Sequence, residues 1–505
     1  MGFDRLFDDD QLDLLATPLS IRLERAARAQ DAEAASGIAD EMDGETLAIY
    51  DAYLNWMGVL QGYIVRRGGE EAHDEAMRWV AEYGLRPFLR PYEGLDLRGR
   101  ALLLAEQLRA NGSTFTVEAS PGHVRFVCDP WGPQRWWRAR SGWEHTEPRR
   151  YEGERIVYPS YGGGEDPRGN FPVLKGARAL TQGRESLPCV LVPEIQFLEI
   201  LPIEMWGRPL AVLGLPDDPE GVVTLDLHAD PADVPAEAYE RVSLARPESG
   251  VAADDPQSTL SAEEAERAGT PLSVQVRNAV AAGDWERVVD ISAGMDRELV
   301  GAKDPYGVEI AGLLSWIARR YGEGAGEEAL AETAEVVMKP FLDGVRDLEI
   351  TESVPAWAVA WRSHGSTFWI EEHDEHVVFR GRPLGACARM WASSYQPEVE
   401  RISESRVRYP TFGSFQAPAS FHKMREPRGI THGKVGYPIY SCHCHMLHEI
   451  YPIDQIGRPL WVEIHPLHDP DGETVHLHWK DPNAWPEHFY EQVGRRKPAT
   501  VGGGA

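Results

Sequence analysis

The chain repeats itself, and any fold it adopts must accommodate that. Asn111-Gly112-Ser113-Thr114-Phe115 returns as His364-Gly365-Ser366-Thr367-Phe368, a shift of 253 positions from 111 to 364. Arg86-Pro87-Phe88-Leu89 returns as Lys339-Pro340-Phe341-Leu342, and His123-Val124-Arg125-Phe126 as His376-Val377-Val378-Phe379, both at the same shift. Val157-Tyr158-Pro159 matches Arg408-Tyr409-Pro410 at 251, and Gly207-Arg208-Pro209-Leu210 matches Gly457-Arg458-Pro459-Leu460 at 250. Leu227-His228 matches Leu477-His478, also at 250. So slow a drift leaves room for few gaps. A period of this length is domain duplication, not a solenoid of short repeats.

The expected organisation is an N-terminal segment (1–19), a first unit (20–245), a linker (246–269) rich in Ala, Glu, Asp, Ser and Pro, a second unit (270–490) and a flexible tail (491–505). Each unit opens with apolar residues at helical spacing, over 46–67 and 70–83 in the first and 307–321 and 327–338 in the second. Strand-like segments follow at 113–117, 123–128 and 155–158, and at 366–371, 376–380 and 406–409. Terminal strands close each unit, 210–213 with 222–227 and 460–464 with 474–477. Helices first and strands later predict an α+β fold with an antiparallel-rich sheet in each unit. The two units together would form an intramolecular pseudo-dimer.

Composition bounds the function classes. With 42% hydrophobic and 26% charged residues the chain is ordinary globular protein, and 505 residues suffice for a core in each unit. A net charge of −29 argues against nucleic acid and anionic membranes as partners. No apolar run approaches the ~18 residues of a membrane span, and the acidic N-terminus lacks a signal core. Five cysteines, odd in number and without framework spacing, suit a reducing cytoplasm.

Two of those five fall one residue apart in Ser441-Cys442-His443-Cys444-His445-Met446-Leu447-His448-Glu449. Thiols, imidazoles and a carboxylate at this density are donors for soft or borderline metals. The first unit has Pro193 where this stretch has His443, which predicts a helix starting near 443. At ~100° per residue, Cys444, His445, His448 and Glu449 share one side. Cys442 sits at the helix entrance, where the dipole lowers a thiol pKa, and His443 points away. A strand would instead pair Cys442 with Cys444 and His443 with His445.

The two copies differ where chemistry would reside. Against Cys442, His443, Cys444, His445 and His448 the first unit has Val192, Pro193, Glu194, Ile195 and Leu198; only Glu449 keeps its type, as Glu199. Asn111 stands against His364. The fold therefore does not need the soft ligands, and the first unit reads as a degenerate copy without them. Within 381–390, a small-residue-rich loop, Cys387 is either a remote fifth ligand or a buried free cysteine.

The loop and the Cys/His stretch together resemble a set of bacterial proteins in which a Pro-Cys-Gly-Ser-Gly-Gly-Arg-like loop precedes a Tyr-Cys-x-His-Cys-like motif. Leu384 stands where that loop has its cysteine, Cys387 lies three residues on, and Cys442-His443-Cys444-His445 exchanges thiol and imidazole at its last two places. The resemblance implies no particular activity.

Other residues are weighed against plainer roles. His364 is a second-shell or substrate contact, or a satisfied turn histidine. His376 is repeated as His123 and reads as structural, like its neighbour His373 beside an acidic turn. His422 and His432 lie in a loop, 416–433, placed to cover the site. His465, His468, His476 and His478 surround the last strand, and His478, matched by His228, reads as fold. Trp131, Trp136, Trp137 and Trp143 line an aromatic pocket or, more simply, pack in a core. The glycines at 162–164 lack the lysine of a phosphate loop, and serine-hydrolase, zincin and dinucleotide fingerprints are absent.

The resulting expectation is a cytoplasmic metalloenzyme acting on a small polar substrate by hydrolysis or elimination. Zinc is the expected metal, bound by two cysteines and one histidine from among Cys442, Cys444, His445, His448 and Cys387, with a fourth position open for water or substrate, Glu449 as proton shuttle and His364 in support. The alternatives are a non-haem iron or copper oxidoreductase, and a non-enzymatic scaffold with a structural zinc.

Overall fold

The computed structural model describes residues 5–135, 150–152, 155–157, 172–246, 254–255, 258–382, 384–392, 395–396, 398–412, 421–466 and 472–498. Trp136, Trp137, Trp143, the Tyr158-Pro159 pair, the glycines at 162–164 and His468 lie outside them. The chain is α+β, in two compact units: Leu23–Glu309, and Met1–Arg22 with Ile310–Ala505. Among the described residues no helix is long and apolar enough to cross a membrane.

In the Leu23–Glu309 unit the helix Ala32–Val80 carries both N-terminal helical patterns, interrupted at Gly69, whose φ of 74° suits a residue without Cβ. The helix Leu97–Ala110 starts on Asp96, whose side chain accepts from the Gly99 N–H, and buries Leu97, Ala101, Leu104, Ala105 and Leu108 at helical spacing. Four of the strands that follow make up its larger sheet: β1 (Phe115–Ser120), β2 (His123–Cys128), β3 (Val212–Gly214) and β4 (Val223–His228). They form an antiparallel sheet in the order β1-β2-β4-β3.

The other unit repeats that order. Its strands β5 (Phe368–Glu372), β6 (His376–Gly381), β7 (Val462–Ile464) and β8 (Thr474–Trp479) pair as β5-β6-β8-β7, again antiparallel. The helix Ile350–Ser363 buries Val354, Trp357, Ala358 and Trp361.

Each sheet is completed by a helix from the stretches read as terminal segment and linker. Ala262–Gly269 packs on β1, and Asp9–Ala16 packs on β5. Arg109 donates to the Ala268 carbonyl at 2.7 Å, and Arg362 donates to that of Leu15. Residues 262–269 are helical because Ser261 and Glu264 form a reciprocal capping box, which outweighs the loop-like composition of 246–269. The compact units accordingly part inside the helices Leu19–Ala29 and Trp285–Tyr321.

The strand register corrects one sequence match. His123 pairs with His228, whereas His376 pairs with Trp479, so β8 is displaced by one residue from the match of Leu477-His478 to Leu227-His228. A one-residue slip moves every side chain to the other face. On β4 the inward residues are Val223, Leu225 and Leu227; on β8 they are Thr474, His476 and His478. His478 thus takes the place of Leu227, not of His228.

Candidate metal centre

The Cys/His stretch opens a compound helix. The α-helical turn Cys442–His445 runs into a π-helical turn, Met446–Ile450, and then into the helix Tyr451–Ile456. The other unit has the same sequence of turns with the same lengths: Val192–Ile195, Gln196–Ile200 and Leu201–Trp206. A π turn carries an extra residue per turn, so side chains beyond it leave the ~100° spacing of an α-helix. The donors divide accordingly into two sets on different sides.

One set joins Cys387, from the helix Gly385–Trp391, to His443 and Cys444. The sulfurs of Cys387 and Cys444 are 3.8 Å apart, and His443 Nε2 lies 3.7 Å from Cys387 Sγ and 3.4 Å from Cys444 Sγ. Sulfurs about 2.3 Å and a nitrogen about 2.0 Å from a common tetrahedral centre would stand about 3.8 Å apart, S to S, and about 3.5 Å apart, S to N. These separations match a zinc-type centre, but Cys387 Sγ also lies 3.9 Å from His443 Nδ1, beside the ring, so the imidazole must turn to point Nε2 at a shared ion. The His443 Nδ1–H donates to the Tyr440 carbonyl, which leaves Nε2 for the centre. Burial works against a thiolate at Cys387, but the Cys444 hydrogen bond and His443 outweigh it and bring the thiol down to about 5.

A fourth donor is at hand on the Cys444 side. Cys444, His448 and Glu463 have ligand atoms all within 4.8 Å of one another. His448 is held against the Trp461 ring, 3.8 Å between centroids, and its buried Nδ1 has no hydrogen-bond partner. Glu463, on β7, faces His476 across the ladder and meets His465 Nε2 at 2.9 Å and His476 Nε2 at 3.5 Å. Burial disfavours its carboxylate, yet His476 and His465 outweigh that and hold it well below the usual carboxylate range.

The second set does not suit a metal. His445 is engaged at both nitrogens, by the Ile430 carbonyl at 2.8 Å and the Tyr437 hydroxyl at 3.3 Å. Its ring stacks on His432 at 3.6 Å and 22°, an arrangement in which the two rings do not converge on one ion. Glu449 accepts from the Glu463 N–H at 3.1 Å and Gln492 at 3.3 Å, and meets His432 Nε2 at 3.0 Å. Glu199 repeats the pattern with the Leu213 N–H and Gln182, both at 2.8 Å, and Arg241. Burial raises the Glu449 carboxyl to about 8.

The structure thus brings Cys387 and Cys444 together with His443, which the α-helical spacing had turned away, and puts His448 beside Cys444 with Glu463. It sets Cys442 apart, its thiol directed at the Pro438 carbonyl at 3.5 Å and burial raising its pKa. His364 caps the helix Ile350–Ser363, with Nδ1 2.6 Å from the Ala360 carbonyl, outside both donor sets. The residues missed from sequence are Glu463, His465 and His476. The available signal was a carboxylate at a terminal-strand place where the first unit has Leu213. A narrow cleft of about 20 Å³ reaches Cys387 past His422, Lys423 and Tyr440, so the described part of the loop borders the site. No protein-family model, curated protein or solved structure matches the chain.

Proposed function

We propose that the unit completed by Ile310–Ala505 is a zinc-dependent enzyme, with Cys387, His443 and Cys444 as ligands, His448 or Glu463 adjoining them, and a small polar substrate entering from the Cys387 cleft. The observation that carries the reading is the tetrahedral spacing of two sulfurs and one imidazole nitrogen, from segments 56 and 57 residues apart in sequence. Zinc would supply Lewis acidity for hydrolysis or elimination. Glu463 would hold or pass a proton at its carboxylate, oriented by His465 and His476. Trp357, Trp361 and Trp461, stacked around His448, His476 and His478, would keep bulk water from these groups.

The same reading takes the two units as copies of one sequence, supported by the shared strand order and the matched compound helices, with the soft ligands confined to one copy. A structural zinc is the competing reading, favoured by the depth of the set: Cys387 is 9% exposed, His443 7% and Cys444 3%. Cobalt substitution of the whole chain separates the two. An open site gives a thiolate–cobalt spectrum that azide perturbs; a closed four-ligand site gives one that azide leaves unchanged. A chain that takes up iron or copper in preference, with the matching absorption, would move the reading to an oxidoreductase.

A further inference from the structure

We propose that the Leu23–Glu309 unit carries a second ligand site, for a small protonated amine with an apolar body, in the cavity bounded by Glu194, Glu309 and Tyr306. This goes beyond the metal centre and does not depend on it. The cavity, about 50 Å³ and open at its rim, occupies the ground that the metal donors hold in the other unit. Glu194 and Leu198 sit on the compound helix where Cys444 and His448 do, and Leu225 sits on β4 where His476 sits on β8. The soft donors are gone, but the space is not filled.

Glu309 is the observation that points to a ligand. It is 0% exposed, and neither carboxylate oxygen has a hydrogen-bond partner. An unpaired buried carboxyl is among the costlier features a fold can carry. Glu194, at the partly exposed rim, accepts from the Tyr306 hydroxyl at 2.6 Å. Among the described residues no lysine, arginine or histidine lines the cavity, and Arg135, over the Tyr50 ring, is paired with Asp51 at 2.7 Å. The electrostatics therefore ask for a cation from outside.

The walls choose the kind of cation. Trp131, Phe197 and Leu225 are buried and carbon-rich. A hard divalent ion keeps a shell of waters that need polar partners, and the amide oxygens on these walls, of Gln107 and Asn111, already accept from Tyr92 and Ser113. An ammonium head donates directly to Glu309 and Glu194, its alkyl chain lies on apolar surface, and aromatic faces favour the charge. Burial raises the Glu194 carboxyl to about 7 and Glu309 well above the usual range, so Glu309 is neutral in the empty cavity and an ammonium head would displace its proton on binding.

The test is calorimetric titration of the full chain with n-butylammonium, with manganese titrated in parallel. Saturable binding of one butylammonium per chain is expected, weakened at least tenfold in Glu309→Gln and in Glu194→Gln, and unchanged in Cys444→Ser. The rim variant Glu194→Gln decides the matter if Glu309→Gln does not fold. Absence of saturable binding, equal affinity in a folded Gln variant, or manganese binding that Glu309→Gln abolishes would each overturn the proposal.

Discussion

Single side chains separate the geometry from the sequence pattern most sharply at Cys442 and His443. Cys442 faces a carbonyl, while His443 faces two sulfurs. Cys387→Ser, Cys444→Ser and His443→Ala should each lose most of the bound metal by elemental analysis, and Cys442→Ser should keep it. Metal retained in His443→Ala but lost in Cys442→Ser would restore the α-helical reading. Glu449 makes a complementary case. Its hydrogen bonds resemble those of Glu199, in a unit without these thiols, so Glu449→Gln and Glu199→Gln should both destabilise, by about 1–3 kcal/mol each in urea unfolding, the cost of leaving a buried hydrogen-bonding group mismatched. Metal content should be unchanged in both. The donor types and their clustering were legible in the sequence, because cysteine is scarce enough for two in three positions to stand out. Which donors converge was not, because that depends on a π turn and on Cys387 arriving from 56 residues away.

At the scale of elements, the decisive features are one extra residue in a helix and one in a loop. Neither appears in hydrophobic periodicity. The strands and long helices were legible, since apolar residues recur at the right spacing, yet the β8 register was misplaced by one because Leu227-His228 and Leu477-His478 look alike. The corrected register predicts that His478→Leu is tolerated, since Leu227 holds that place in the sister sheet. It replaces a buried imidazole carrying a nitrogen without a partner, so the unfolding free energy should hold or rise, by up to about 1–3 kcal/mol. A large loss of stability in this variant would show the register argument to be mistaken. Deleting Met446 should convert the π turn to α, preserve far-ultraviolet helicity and weaken metal binding without abolishing it, because His448 rotates away from Cys444 while Cys387, His443 and Cys444 stay in place.

Over the whole molecule, the two units share a strand order and a compound helix but carry different chemistry. One pocket gathers sulfur and imidazole; its counterpart is lined by carbon, two carboxylates and a phenol. The net charge of −29 adds nothing to either site and bears only on solubility and partners. The helices at 9–16 and 262–269 escaped the sequence reading because each packs on a strand more than a hundred residues away, and only tertiary contact shows that it belongs to the unit. The most direct test of the metal assignment is X-ray absorption at the zinc edge on the purified full chain, with stoichiometry from the same sample. One zinc per chain is predicted, with two sulfurs at about 2.3 Å and one or two nitrogens at about 2.0 Å in its first shell. A first shell of nitrogen and oxygen alone, or a chain that binds no metal, would contradict it.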